Sequence, residues 1–132
     1  MEQLRLPTLQ DAPQIDFATL DLLPYGIIVL DEHGTVLYYN AREEQIAGRK
    51  RENVIGKNFF KEVAPCAQVE EFHGRFQEAM RRVGLVTDFH FHFPFPGRAR
   101  EVEISLTSFK KGDSNLCLIS VSDVTEKNDL RE

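Results

Sequence analysis

Apolar residues change their period along this chain, and the changes divide it into elements. Gly26-Ile27-Ile28-Val29-Leu30 is an unbroken apolar run rich in β-branched residues, which predicts a buried strand. Asp31-Glu32-His33-Gly34 is a turn, and Thr35-Val36-Leu37-Tyr38-Tyr39 returns, so the two runs form a hairpin. Short helical pieces follow. Asn40 caps the first, with Glu43 at capping-box spacing and Gly48 at its end. Arg51 to Ile55 is one more turn, stopped by Gly56, and Asn58 to Val63 another, stopped by Pro65. Val69, Phe72, Phe76, Met80 and Val83 recur at steps of three and four, which puts one apolar stripe on the longest helix, with Gly84 as its C-terminal cap.

The period then drops to two. Phe89, Phe91, Phe93 and Phe95 alternate with His90, His92 and Pro94, and Val102, Ile104 and Leu106 alternate in the next strand. Lys110-Lys111-Gly112-Asp113-Ser114 is a turn, and Leu116 to Val121 is a last apolar strand. Strands at both ends with helices between predict an α+β domain: a five-stranded antiparallel sheet, with short helices and one longer helix on one face. A pocket between the layers follows from that arrangement. Residues 1–24 read as an N-terminal cap, in which Pro7 and Pro13 break any long helix and Phe17 to Leu23 forms a short one ended by Pro24. Residues 25–125 form the core. Asp123-Val124-Thr125-Glu126 has capping-box spacing and opens a linker helix over 126–132.

Charge and composition narrow the function classes. A chain of 132 residues fits one domain. Its net charge of −5 argues against a nucleic-acid partner, and the one basic run, Arg49-Lys50-Arg51, is short and followed by Glu52. No apolar stretch approaches a membrane span, and Met1-Glu2-Gln3-Leu4 lacks the regions of a signal peptide, so a cytoplasmic location is expected. There Cys66 and Cys117 are free thiols. His90 and His92 share a strand face, but no third ligand stands at metal-binding spacing. No Ser/His/Asp set, phosphate loop or metal cluster suggests an enzyme.

The segment Gly56-Lys57-Asn58-Phe59-Phe60-Lys61-Glu62-Val63-Ala64-Pro65-Cys66 resembles a PAS domain, and within PAS domains the cysteine-bearing segment of the photoactive yellow protein family. Tyr39-Asn40-Ala41-Arg42-Glu43 upstream and Glu71-Phe72-His73-Gly74-Arg75-Phe76 downstream continue the likeness without a gap. The resemblance implies a PAS-fold blue-light receptor that carries p-coumaric acid as a thioester on Cys66. It implies that Tyr39 and Glu43 hydrogen-bond the phenolate oxygen, that Arg49 lies over the ring at the pocket mouth, and that Phe93 packs against the ring. It also implies that light drives a trans-to-cis isomerisation, with Glu43 as proton donor and partial unfolding as the signal. Ala47 stands where that family usually has a threonine, which implies a shifted colour and altered recovery. Partners implied are a downstream signalling protein or a fused output domain, with a weak homodimer as a further expectation.

Each of these residues also has a plainer reading. Cys66 and Cys117 are small apolar residues of the kind that fill cores. Glu43 completes the capping box with Asn40. Tyr39 and Phe93 are aromatics on inner strand faces, and Arg49 is a solvated charge. A helix starting near Val69 would favour a thiolate at Cys66 through its N-terminal dipole. A flavin-binding PAS domain would carry cysteine at the position held by Phe59, and His73 is poorly placed as a haem ligand. A PAS interaction domain without cofactor is the alternative that remains.

Overall fold

The computed structural model describes residues 17–95, 97 and 99–125. A five-stranded antiparallel sheet runs β2-β1-β5-β4-β3, with β1 Gly26–Leu30, β2 Val36–Tyr39, β3 Val86–Phe93, β4 Arg100–Lys111 and β5 Ser114–Asp123. β1 reads as an unbroken apolar run because both of its faces are buried. Ile28 and Leu30 join Val102, Ile104, Leu106, Ile119 and Val121 beneath the helices. Ile27 and Val29 join Leu116, Leu118 and Phe109 on the opposite face, where Leu20 and Leu23 of the N-terminal segment cover them.

A register step in the first hairpin decides where Tyr39 points. Pairing moves from Val29↔Tyr38 to Leu30↔Val36, so Leu37 stands outside the ladder. One extra residue reverses the alternation. Val36 and Tyr39, three apart, therefore both face the helical layer, and Tyr38 faces the other side.

The helical layer departs from its predicted bounds where hydrogen bonding does. α1 is Phe17–Leu20, three residues shorter than expected, because Leu22 and Leu23 donate to Thr19 and Leu20 and turn the chain. α2, Ala41–Ala47, is capped by Asn40 and ends at Gly48, whose φ of 72° is the left-handed value that glycine adopts freely. A turn at Arg51–Asn53 follows. Phe59–Val63 is capped by the Asn58 side chain and closes with Ala64 N–H to Phe59 O at 2.7 Å, a wide turn. A second wide turn, Glu70–Gly74, runs into α3, Arg75–Arg81.

That wide turn breaks the predicted stripe. Phe72, Phe76 and Ala79 are buried, but Val69 and Val83 are 43% and 45% exposed. Val69 has extended backbone ahead of the helix, and Val83 lies beyond its last residue. Gly84 does not cap the helix: its N–H bonds Ser108 O and Oγ on β4. β3 begins three residues before the Phe89–Phe95 row and leaves Phe95 outside. Lys111 pairs with Ser114, so the last turn is only Gly112-Asp113. Residues 1–16 of the predicted cap and 126–132 of the predicted linker lie outside the described residues. Among the described residues no helix is long and apolar enough to cross a membrane.

Asn40 joins the layers. It is fully buried. Its Oδ1 accepts from Ile27 N–H at 2.8 Å and Glu43 N–H at 3.0 Å. Its Nδ2 donates to Leu20 O at 2.7 Å and Tyr25 O at 3.1 Å. Buried backbone groups left without partners are costly. Asn40→Ala is therefore expected to lose about 3 kcal/mol of unfolding free energy, read from urea denaturation; a loss below about 1 kcal/mol would remove Asn40 from this role.

Candidate functional site

Glu43 and Ala47 are one helical turn apart, so they share a face of α2, and Asn40 sets that face against β1. The Glu43 side chain is 3% exposed and lies over Gly26. A Cβ at Gly26 would meet Glu43 Oε1, so any larger residue would displace the carboxyl from this position. No donor among the described residues reaches that Oε1.

Tyr39, Glu43, Ala47, Arg49 and Phe93 line one cavity, closed further by Phe59, Val63, Ala64 and Phe95. Cys66 does not line it. It sits in the turn Pro65–Ala67, half-buried, and packs against the same apolar core two residues past Ala64. The cavity measures about 10 Å³, room for one water. Phe93 and Phe95, both in its wall, stack with centroids 5.1 Å apart and planes 6° apart.

The local chemistry corrects several expectations. Asn40 caps α2, but the reciprocal half of a capping box is missing: Asn40 N–H bonds Ile27 O at 3.0 Å. Glu43 has turned inward instead. Burial pushes its pKa up to about 8, with the Asp123 charge adding and Arg42 opposing. It is a neutral acid at neutral pH. Burial also pushes Tyr39 up, helped by the Glu43 charge and opposed by Arg49. Arg49 is not simply solvated; it donates to Val63 O at 2.7 Å and so ties the end of α2 to the Phe59–Val63 turn.

Cys66 lacks the predicted helix-terminus activation. Glu70–Gly74 is a wide turn and the regular helix begins only at Arg75, and burial raises the thiol, with a smaller lowering from its own backbone. Cys117 is wholly buried and pushed up to about 12 by burial. His73, half-buried, packs its ring 4.5 Å from Phe60. His90 and His92 face Glu101 and Glu103 across the strands, with His90 Nε2 2.7 Å from Glu101 Oε1.

Two groups escaped the sequence reading. Asp21 Oδ1 accepts from Tyr38 OH at 2.7 Å and Ala41 N–H at 2.9 Å. Arg51 donates to the same carboxylate at 3.2 Å and also meets Glu44. Asp21 thus docks the N-terminal segment on the first N–H of α2, a link across 20 positions that no local pattern announces. The other group is Asp123, read from sequence only as a cap. Its Oδ1 accepts from Thr125 N–H at 3.0 Å, and its Oδ2 meets Arg100 at 3.3 Å.

Residues 20–129 match the PAS fold family. Photoactive yellow protein of Rhodothalassium salexigens is 43% identical over 97 residues, 74% of this chain and 78% of that protein. The chain belongs to the photoactive yellow protein family. Photoactive yellow protein of Halochromatium salexigens is likewise 43% identical, over 72% of this chain and 76% of its own. The photoactive yellow protein domain from the sensor histidine kinase Ppr of Rhodospirillum centenum superposes with a TM-score of 0.76 at 34% identity. That match covers 86% of this chain and 97% of the solved domain. The PAS fold and its five-stranded antiparallel sheet agree with the expectation from sequence.

The buried Glu43 of this photoactive yellow protein family member makes stability depend on pH. The unfolded chain releases this proton near 4.5, the folded chain near 8. The stability that Glu43 contributes is therefore fully present below 4.5 and is lost as pH rises, by about 1.4 kcal/mol for each unit of that window. It levels off above the folded value. Glu43→Gln is expected to flatten the profile between pH 5 and 8 and to exceed the parent in stability at pH 9, both measured by urea denaturation. Parallel profiles for the two proteins would show that Glu43 is ionised in the folded state.

Proposed function

We propose that this chain is a blue-light photosensory domain that carries p-coumaric acid (4-hydroxycinnamic acid) as a thioester on Cys66. The observation that carries this reading is the buried neutral Glu43 beside Tyr39, with an Oε1 that no donor among the described residues reaches. Their chemistry fits a phenolate, because a protonated carboxyl and a phenol can both donate to one anionic oxygen. Arg49 would cover the ring, Phe93 would offer an aromatic face, and the Cys66 N–H would donate to the acyl oxygen. Photoactive yellow protein relatives in two organisms support the assignment. Ala47 withholds the hydroxyl that the family's threonine supplies to the Tyr39–Glu43 network, so colour and recovery differ from the family pattern.

Bound there, the cofactor supplies a light-driven trans-to-cis isomerisation and a phenolate able to take a proton. Glu43 holds that proton in the dark because burial favours its neutral form. Once it gives the proton up, Glu43 is a carboxylate packed on Gly26, and an unpaired buried charge costs several kcal/mol, a large part of a small domain's stability. The yielding element is the N-terminal segment, since Asn40 and Asp21 fasten it to α2 itself. The role is sensory rather than enzymatic, in the cytoplasm. Its output is a fused domain or a separate signalling partner, as one solved relative belongs to a sensor histidine kinase.

A second reading, a PAS interaction domain without cofactor, draws on the small cavity and on Cys66 standing outside its wall. Incubation with activated p-coumarate separates the two. A one-cofactor mass gain that Cys66→Ala abolishes, with a blue-absorbing band that bleaches and recovers, is the expected result; no adduct and no band would favour the interaction domain.

Glu43→Gln tests the trigger. The variant is expected to keep a visible band while losing the light-induced rise in hydrogen exchange over residues 17–25. An unchanged rise would mean that the buried charge does not drive the response.

A further inference from the structure

The C-terminal end of β5 brings a charged group to the same sheet face as Glu43. Gly26, against which the Glu43 carboxyl lies, pairs with Val121. Val121 lies on the helical side of the sheet, and Asp123, two residues on, faces the same way. Across the next ladder Val102 pairs with Asp123, and Arg100, which pairs with Phe93 of the cavity wall, reaches over to it. The Asp123 side chain is only 12% exposed.

Asp123 is also part of a latch on the departing chain. Its Oδ1 accepts from Thr125 N–H at 3.0 Å. Val124 N–H donates to Glu101 O at 2.8 Å, and Thr125 Oγ1 accepts from Glu101 N–H at 2.8 Å. The ion pair within this latch is incomplete. Only Arg100 Nη1 meets the carboxylate, at 3.3 Å, while Arg100 Nε is buried with no acceptor among the described residues. A one-point pair leaves much of the Asp123 charge uncompensated on that face.

We propose that Asp123 is a positioning residue that couples the proton on Glu43 to the C-terminal exit of the domain: the Arg100–Asp123–Thr125 latch holds while Glu43 is neutral and loosens when Glu43 is ionised. The proposal rests on the reading of Glu43 as the proton donor. The groups around Glu43 leave Asp123 as the anion to be felt. Arg42 is on its own helix, Tyr39 is on β2, Gly26 of β1 has no side chain, Arg49 follows α2 and is engaged with Val63 O, and Arg100 of β4 is engaged with Asp123. The Asp123 charge favours the protonated form of Glu43. Linkage makes that influence reciprocal: whatever Asp123 adds to the proton affinity of Glu43, an ionised Glu43 subtracts from the stability of Asp123 in its latch. A charge change in the pocket is thereby delivered to the residues at which the chain leaves the sheet.

The test uses the cofactor-free full chain in the dark, so a failed adduct experiment leaves its outcome standing. The Glu43 carboxyl is titrated by 13C NMR, with Glu43→Gln to assign the signal. Asp123→Asn is expected to lower the Glu43 pKa by about half a unit to one unit, a three- to tenfold weaker proton affinity. Arg100→Gln, which bares Asp123, is expected to raise it. Simple loss of the latch would move both variants the same way, so opposite shifts separate coupling from loosened structure. Amide exchange at Val124, corrected for its intrinsic pH dependence, is expected to rise as Glu43 ionises in the parent and not in Glu43→Gln. Glu43 titrations that agree in parent and Asp123→Asn, shifts of one sign in both variants, or Val124 protection indifferent to Glu43 would each overturn the proposal.

Discussion

The Asn40 amide is the constraint on which the arrangement turns. A primary amide has two donor hydrogens and a carbonyl oxygen that accepts twice, and at this buried position all are engaged. The acceptor side fastens β1 to the first turn of α2. The donor side fastens the N-terminal segment to both. Strand, helix and N-terminal segment therefore meet at one side chain, and none of them shifts without stranding buried backbone groups. The orientation of α2, and with it the direction of Glu43, follows from that junction.

Given that orientation, Glu43 had two competing fates. Reaching back to the Asn40 N–H would complete a capping box, worth about 1 kcal/mol. The structure gives that N–H to Ile27 O instead, because Asn40 continues the pairing of β1 with β2. The carboxyl is then left to the interior, where only the absence of a side chain at Gly26 makes room. Burial disfavours a carboxylate there, so the group keeps its proton at neutral pH. The neutral acid is thus a consequence of strand pairing and a glycine, not of any partner that holds it.

Much of this was legible in the chain, and the illegible parts share a cause. β1 and the period-two strands stood out because burial on one or both faces writes directly into residue type. The cavity residues Tyr39, Glu43, Ala47, Arg49 and Phe93 were named through family likeness, and they do converge. The inward turn of Tyr39 depends on the register step at Leu37, which leaves no mark in the alternation itself. The helical stripe failed at Val69 and Val83 because a wide turn at Glu70–Gly74 and the helix bounds reset the face presented. Asp21 carried no motif and Asp123 read only as a cap because their partners are supplied by tertiary structure, from Ala41 and Arg51 in one case and Arg100 in the other. Cys66 was read as activated by a helix that starts too late to help it.

The two carboxylates missed in sequence fix the two ends of the domain to the same buried acid, by different physics. Asp21 acts through hydrogen bonds onto α2, so its hold changes only if the helix moves. Asp123 acts through space, so its hold changes as soon as the charge does. A coupling of one pKa unit is about 1.4 kcal/mol, a tenfold shift in an equilibrium. That is far too little to open a contact held by many kcal/mol, since inverting a strongly biased two-state element takes about 5.5 kcal/mol. A tenfold shift matters only where the contact is near balance already. The Arg100–Asp123 pair, with one nitrogen engaged and Nε left without an acceptor, has the form of such a contact; a two-point pair at this position would hold too firmly to respond to the proton on Glu43.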